Sequence, residues 1–179
     1  MKLTEHDLRR LGRWAADCAE RVLPLFEKKA PGDARPRAAL DGLREYAAGG
    51  KRTNRLRRLV WAAMAAAREV DDPAAAAAAR AAYSAAGVAY MHAVYTPGQE
   101  KHALGPAMYA ALAREHAAHD PAAADREIRR AIRRASTAVS KIMQHLPPRK
   151  PGRSRQAALY FQLDAGLRPR GMPGRTGRR

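Results

Sequence analysis

The side chains best suited to chemistry in this chain are cations. Lys51, Arg52, Arg55, Arg57 and Arg58 place five positive charges within eight residues, and Trp61 follows three residues on. Arg35 and Arg37 flank Pro36, and Arg126, Arg129, Arg130, Arg133, Arg134 and Lys141 form a third set. A guanidinium is a rigid fork that takes a carboxylate or a phosphate through two parallel hydrogen bonds. A tryptophan among arginines serves as the anchor of a protein interface or as a platform for stacked bases. The first two sets and Trp61 are therefore candidate contacts to a protein partner, and the third set is a candidate track for phosphates. A plain structural role competes in each case: solvated arginines at a helix start, a tryptophan packed beneath arginine stems, and the charged outer face of a terminal helix.

Chemistry that makes and breaks bonds has no such foothold. His116 and His119 stand three apart beside Glu115 and Asp120, but there is no HExxH and no evident third ligand, so surface histidines near a helix end account for them. His6, His92, His102 and His145 are scattered, and Cys18, the single cysteine, reads as a small core residue. Phosphate-binding loops, dinucleotide fingerprints, nucleophile elbows and paired-cysteine motifs are all missing. Tyr83, Tyr90, Tyr95 and Tyr109, with Met91 and Met108, read as core filling. The expectation is a protein that is not an enzyme and uses no cofactor or metal.

The elements that must position these residues are helices. Thr4 with Asp7, and Leu3 with Leu8, predict a capping box and staple. Leu8, Leu11, Trp14, Cys18, Val22 and Leu25 then mark one apolar face, with a kink or end near Val22 because Pro24 lacks the amide donor. A second helix is predicted from about Arg35 to Ala48, stopped by Gly49 and Gly50, and a third from Thr53 to Val70, whose inward face omits Trp61. Asp72-Pro73 opens a fourth that runs to about Tyr95, a fifth covers Leu104–Ala118, and Asp120-Pro121 opens a sixth that ends before Pro147. On that sixth helix Ile128, Ile132, Ala135, Val139, Ile142, Met143 and Leu146 oppose the cations. The fold class is all-α: about six antiparallel amphipathic helices, in a bundle or a short HEAT-like array of helical pairs.

Residues 1–146 thus form a helical domain, and 147–179 a Pro/Gly/Arg-rich basic tail expected to be disordered, although Arg155 to Leu163 has room for two turns carrying Leu159, Tyr160 and Leu163. The 179-residue chain carries a formal charge of +17, and the tail holds nine of the Lys and Arg residues. Such a surplus favours anionic partners, although the abundance of Arg and Ala also fits a GC-rich coding sequence. No apolar leader opens the sequence and the alanine runs are broken by charges, so a cytoplasmic protein without a membrane partner is expected.

Several of these segments resemble a known family. The run from Ala16 to Glu27 (Ala-Asp-Cys-Ala-Glu-Arg-Val-Leu-Pro-Leu-Phe-Glu), then Pro31-Gly-Asp-Ala-Arg-Pro-Arg37 leading into Ala38-Ala-Leu40, Arg44-Glu-Tyr46-Ala47 and Gly49, then His102-Ala-Leu-Gly-Pro-Ala-Met-Tyr-Ala110 are similar, in that order, to a small all-helical family common in actinobacteria. Its members are called putative immunity proteins, and the resemblance covers about residues 4–115. It implies a helical, non-enzymatic protein that binds and neutralises a partner toxin. Given the positive charge, that toxin is expected to present an acidic surface. The competing reading is a nucleic-acid-binding protein that uses the Arg126–Lys141 set and the tail. In this frame Gly105 beside Pro106 marks either a tight helix start or the close approach of another helix.

Overall fold

A computed structural model describes residues 2–94, 96 and 98–168 of the chain. What the sequence implies for Tyr95, Pro97 and residues 169–179 lies outside them.

Among the described residues there are nine α-helices and one short 3₁₀ turn: α1 (Glu5–Glu20), α2 (Leu23–Lys29), α3 (Arg35–Ala47), α4 (Asn54–Glu69), α5 (Pro73–Gly87), the turn Val88–Tyr90, α6 (Gln99–Ala118), α7 (Pro121–Arg134), α8 (Thr137–Gln144) and α9 (Arg155–Leu167). The all-α class holds, but the count exceeds six for three reasons. The first predicted helix divides at Val22, where Pro24 enters α2 within its first turn. The sixth divides because Ser136 starts a new helix, its hydroxyl accepting from the Val139 amide at 3.5 Å. The third reason is α9, which lies in the segment expected to be disordered.

Helix starts follow side-chain chemistry. The Asp7 amide donates to Thr4 Oγ1 at 3.1 Å while the Thr4 amide donates to Asp7 Oδ2 at 3.0 Å, so two otherwise unpaired amides are satisfied reciprocally. Asp72 accepts from the Ala75 amide at 2.8 Å, with Pro73 at the first helical position, and Asp120 caps α7 in the same manner.

The centre of the molecule is α5. Eleven of its fifteen residues are buried, and all eleven are Ala or Ser. Methyl-sized side chains let neighbours approach closely while losing almost no rotamer freedom. Helices α1, α2, α3, α4 and α6 all pack on it. Because α1 also reaches α6 and α8, the chain closes into a bundle, whereas repeats in an open array touch only their sequence neighbours.

The tightest approach is α5 to α6, at Gly105, where a methyl group would overlap the Ser84 hydroxyl. Of the two roles open to Gly105, the close helix approach is the one realised. The helix start expected at Leu104 lies instead at Gln99, and Pro106 sits inside α6. A proline here removes one backbone hydrogen bond, and the packing of α6 along α5 outweighs that loss.

Helix α9 corrects the expected disorder for residues 155–167. Leu159, Leu163 and Leu167 are buried against α6 and α7. Arginines expected to be solvated instead pair with half-buried and buried carboxylates: Arg155 Nε donates to Glu115 at 2.8 Å, Arg149 Nη1 to Glu100 at 2.9 Å, and Arg168 Nη2 to Asp164 at 2.9 Å. A buried carboxylate needs such a partner; the Arg149 and Arg155 pairs tie the segment to α6, whereas Arg168 and Asp164 pair within the segment, four residues apart.

Two outcomes follow from this packing. Gly105→Ala should destabilise the chain by about 1–3 kcal/mol, and Ser84→Ala should recover part of that loss in the double variant, read as a coupling in urea unfolding. Truncation after Leu146 strips three buried leucines, about 1.5–3 kcal/mol each, so circular dichroism melts should show a sharp fall in stability or loss of cooperative unfolding.

Candidate protein-binding site

Helix α4 turns Leu56, Val60, Ala63, Ala66 and Ala67 inward, which leaves Trp61 on the opposite side, 60% exposed. Its ring lies 5.9 Å from that of Tyr83, tilted by 45°. Apart from its initial proline and the small Ser84, Tyr83 and Arg80 are the only side chains on α5 larger than a methyl group. One turn before Trp61, the Arg57 guanidinium sits 5.1 Å from the centre of the Tyr90 ring, a cation over an aromatic face. The Tyr90 hydroxyl donates to the Thr53 carbonyl at 2.7 Å, which fixes that ring against the start of α4.

These residues border an open cleft of about 740 Å³ between α4, α5 and the start of α6, with Met91 and His102 also in its wall. Gln99 holds the far wall in place: its side-chain amide donates to the His92 carbonyl at 2.6 Å, and its oxygen accepts from the Thr96 amide at 2.9 Å. The Leu3 amide donates to the Ala93 carbonyl at 2.8 Å and ties the same segment to the N-terminal strand of chain before α1. Loss of hydration, together with the neighbouring His92, holds the His102 imidazole below the usual histidine range despite Glu100, so it favours the neutral form. The cleft therefore offers aromatic surface, a thioether and a neutral imidazole, with the Arg57 charge at one edge.

Of the Lys51–Arg58 cluster only Arg57 lines this cleft; Lys51 and Arg55 line a separate hollow beside Glu45 and Tyr46. Lys51, Arg52, Arg55, Arg57 and Arg58 are all exposed, and Arg55 makes a loose pair with Glu45 at 3.4 Å. Arg35 and Arg37 do not join them. Arg35 forks onto Asp33 at 2.6 Å and reaches Glu69 at 2.5 Å; Arg37 binds Glu20 at 2.6 Å and Glu27 at 2.8 Å. The carboxylates that these two arginines were expected to find on a partner are supplied within the chain, where they lock α3 to α1, α2 and α4.

Arg126, Arg129, Arg130, Arg133, Arg134 and Lys141 are all exposed, and Arg126 pairs with Asp120 at 3.3 Å. They share no wall with the Trp61 cleft. Sequence reasoning missed the residue beneath them, Glu127, which is 6% exposed and held by Arg21 through bonds of 2.7 and 3.1 Å. A carboxylate adjoining Ile128 on an otherwise apolar face was the available signal, since a buried charge must find a partner. Tyr83, Tyr90 and Met91, read as core filling, contribute to the cleft wall as well.

The family model of the Imm-5 like putative immunity protein matches residues 1–138, which span α1 to α7 and the start of α8, so the chain belongs to that family. No curated protein and no solved structure matches the chain.

The Arg35 fork carries a pH signature. Hydrogen bonds from Arg35 hold the Asp33 carboxyl below the usual aspartate range, against the opposing effect of burial. A carboxyl with a lowered folded-state pKa stabilises the fold at pH above its unfolded value, and that stability is lost as pH falls through the folded value. Asp33→Asn should therefore lower stability by about 0.5–1 kcal/mol at neutral pH, allowing for its partial exposure. The gap from wild type should close in melts recorded well below the usual aspartate value of about 3.9.

Proposed function

We propose that this family member acts without catalysis, by burying part of the surface of a toxin and so neutralising it. Family membership supports a protein-binding role. The observation that carries the specific reading is Trp61, a large aromatic left exposed over an aromatic cleft that Arg57 and Lys101 also line. Interface energy concentrates in a few buried aromatic and arginine anchors surrounded by contacts that exclude water. Trp61 is the anchor, Arg57 and the cleft wall complete its socket, and Lys51, Arg52, Arg55 and Arg58 supply the charged rim.

The formal charge of +17 fits a toxin with an acidic surface, because complementary fields speed encounter and set orientation. The reading places this encounter in the cytoplasm. No helix among the described residues is long and apolar enough to cross a membrane. The competing reading, nucleic acid held by Arg126, Arg129, Arg130, Arg133, Arg134 and Lys141, has the exposure of all six in its favour. Phosphate contacts weaken steeply with salt, whereas an anchored hydrophobic interface weakens less.

The test is co-expression with a toxin encoded beside this chain's own gene. Growth should be rescued by the wild type, and Trp61→Ala should weaken the purified complex at least tenfold, or about 1.4 kcal/mol, with an unchanged melting temperature because the ring is exposed. Rescue that is indifferent to Trp61→Ala would remove the cleft from the interface. Binding of DNA that vanishes at high salt, with no toxin neutralised, would favour the competing reading.

A further inference from the structure

The arginines of α7 do not stand on an isolated ridge. Trp14 on α1 donates its indole N–H to the Ala131 carbonyl at 3.0 Å, and Arg21 reaches across to Glu127, so α1 and α7 are bridged by side chains with hollow space between them. Three hollows of about 380, 220 and 520 Å³ follow one another there. The first and second share Trp14, Asp17 and Arg134; the second and third share Arg21, Glu127 and Arg130. They form one furrow. Arg10 and Arg13 line its first end, Arg130 and Arg134 its middle, and Arg126 and Arg133 its far end.

From this we infer that the α1–α7 furrow is a docking surface for an extended, carboxylate-rich segment of a protein partner. Positive charge is in excess there: among the described residues Arg10, Arg130, Arg133 and Arg134 form no ion pair, and the lining carboxylates are Asp17, Glu20 and Glu127. Arg133 and Arg134 sit in the last turn of α7, near the negative end of its dipole, while Arg10 and Arg130 have no such partner and crowd the same furrow. An anion in the furrow relieves that crowding.

Three features select a carboxylate-rich polypeptide. The furrow already satisfies one carboxylate by arginine forks, since Glu127 is held by Arg21 and approached by Arg114 at 3.9 Å. Arg126, Arg130 and Arg134 stand four residues apart, a rise of about 6 Å per step, and side chains on one face of an extended strand recur at about 6.7 Å. Finally, the only ring in the furrow, Trp14, is 4% exposed and bonded to Ala131, so bases find nothing to stack on. Asp17 and Glu20 also line it, and a polypeptide can set a neutral residue opposite them where a phosphodiester backbone cannot.

The inference gives a partner chemistry to the protein-binding reading and rests on it for the identity of the partner. The experiment is fluorescence anisotropy of a labelled decaglutamate peptide with the full chain, beside labelled single-stranded and duplex DNA of ten units, at about 0.15 M salt. Arg130→Glu with Arg134→Glu should weaken peptide binding at least tenfold, whereas the equal charge change Arg52→Glu with Arg58→Glu, and separately Trp61→Ala, should leave it within about twofold. Melting curves check that the variants fold, and Arg130→Gln with Arg134→Gln serves if the reversal does not. The inference is overturned if the peptide fails to bind, if both charge reversals weaken it equally, or if DNA binds more tightly through the same arginines. A chain that binds the peptide through the furrow but neutralises no toxin keeps this site and loses the neutralisation reading. Toxin neutralisation with a furrow indifferent to the peptide does the reverse.

Discussion

Helix α5 presents methyl groups almost all the way round, and five helices close on it. Since α5 contributes so little volume, the core must be filled from outside by the leucines of α1, α3 and α6, by Phe26 and by Tyr46. Close-packed interiors leave no slack for such an arrangement, so the small residues on α5 and the glycine that faces Ser84 set where every surrounding helix lies. The same constraint reaches the surface. Tyr83, the one aromatic that α5 carries, leaves the helix where the packing opens, and it meets Trp61 there.

Charge is arranged by a second rule. The chain has 34 Lys and Arg residues against 17 Asp and Glu, and many of its carboxylates are drawn into pairs that join separate elements. Glu20 links α1 to α3, Glu69 links α4 to the start of α3, Glu127 links α7 to α1, and Glu100 and Glu115 hold the segment that carries α9. With the acids occupied in this way, what remains facing solvent on the Trp61 face and along α1 and α7 is mainly positive. The local pairing scheme and the global field thus have one origin.

What could be read from the residues follows from the range of the interactions. Thr4, Asp72-Pro73 and Asp120-Pro121 act within one turn, and the helix starts they predict stand where expected. Trp61 was visible as an aromatic off the apolar stripe of α4 and is exposed. The start of α6 was placed at Leu104 rather than Gln99, because the packing with α5 that carries the helix past Pro106 is contained in no window of sequence. The two turns from Arg155 to Leu163 were legible and begin α9, but its docking was not: the carboxylates that claim Arg149 and Arg155 lie 49 and 40 residues away. Arg35 and Arg37 looked available because Glu69 and Glu20 are distant in sequence. The furrow needed two helices to be seen together.

The all-methyl surface of α5 also bears on how such a protein can diverge. A larger side chain at Ala78 or Ala82 must be matched by adjustments in neighbouring helices at once, whereas the side chains of Trp61, Arg58 and Arg130 project to solvent and can change without repacking the core. Substitution is thereby channelled outward, to positions exposed to solvent. A chain built on this frame can vary at a handful of surface positions while its interior stays nearly fixed.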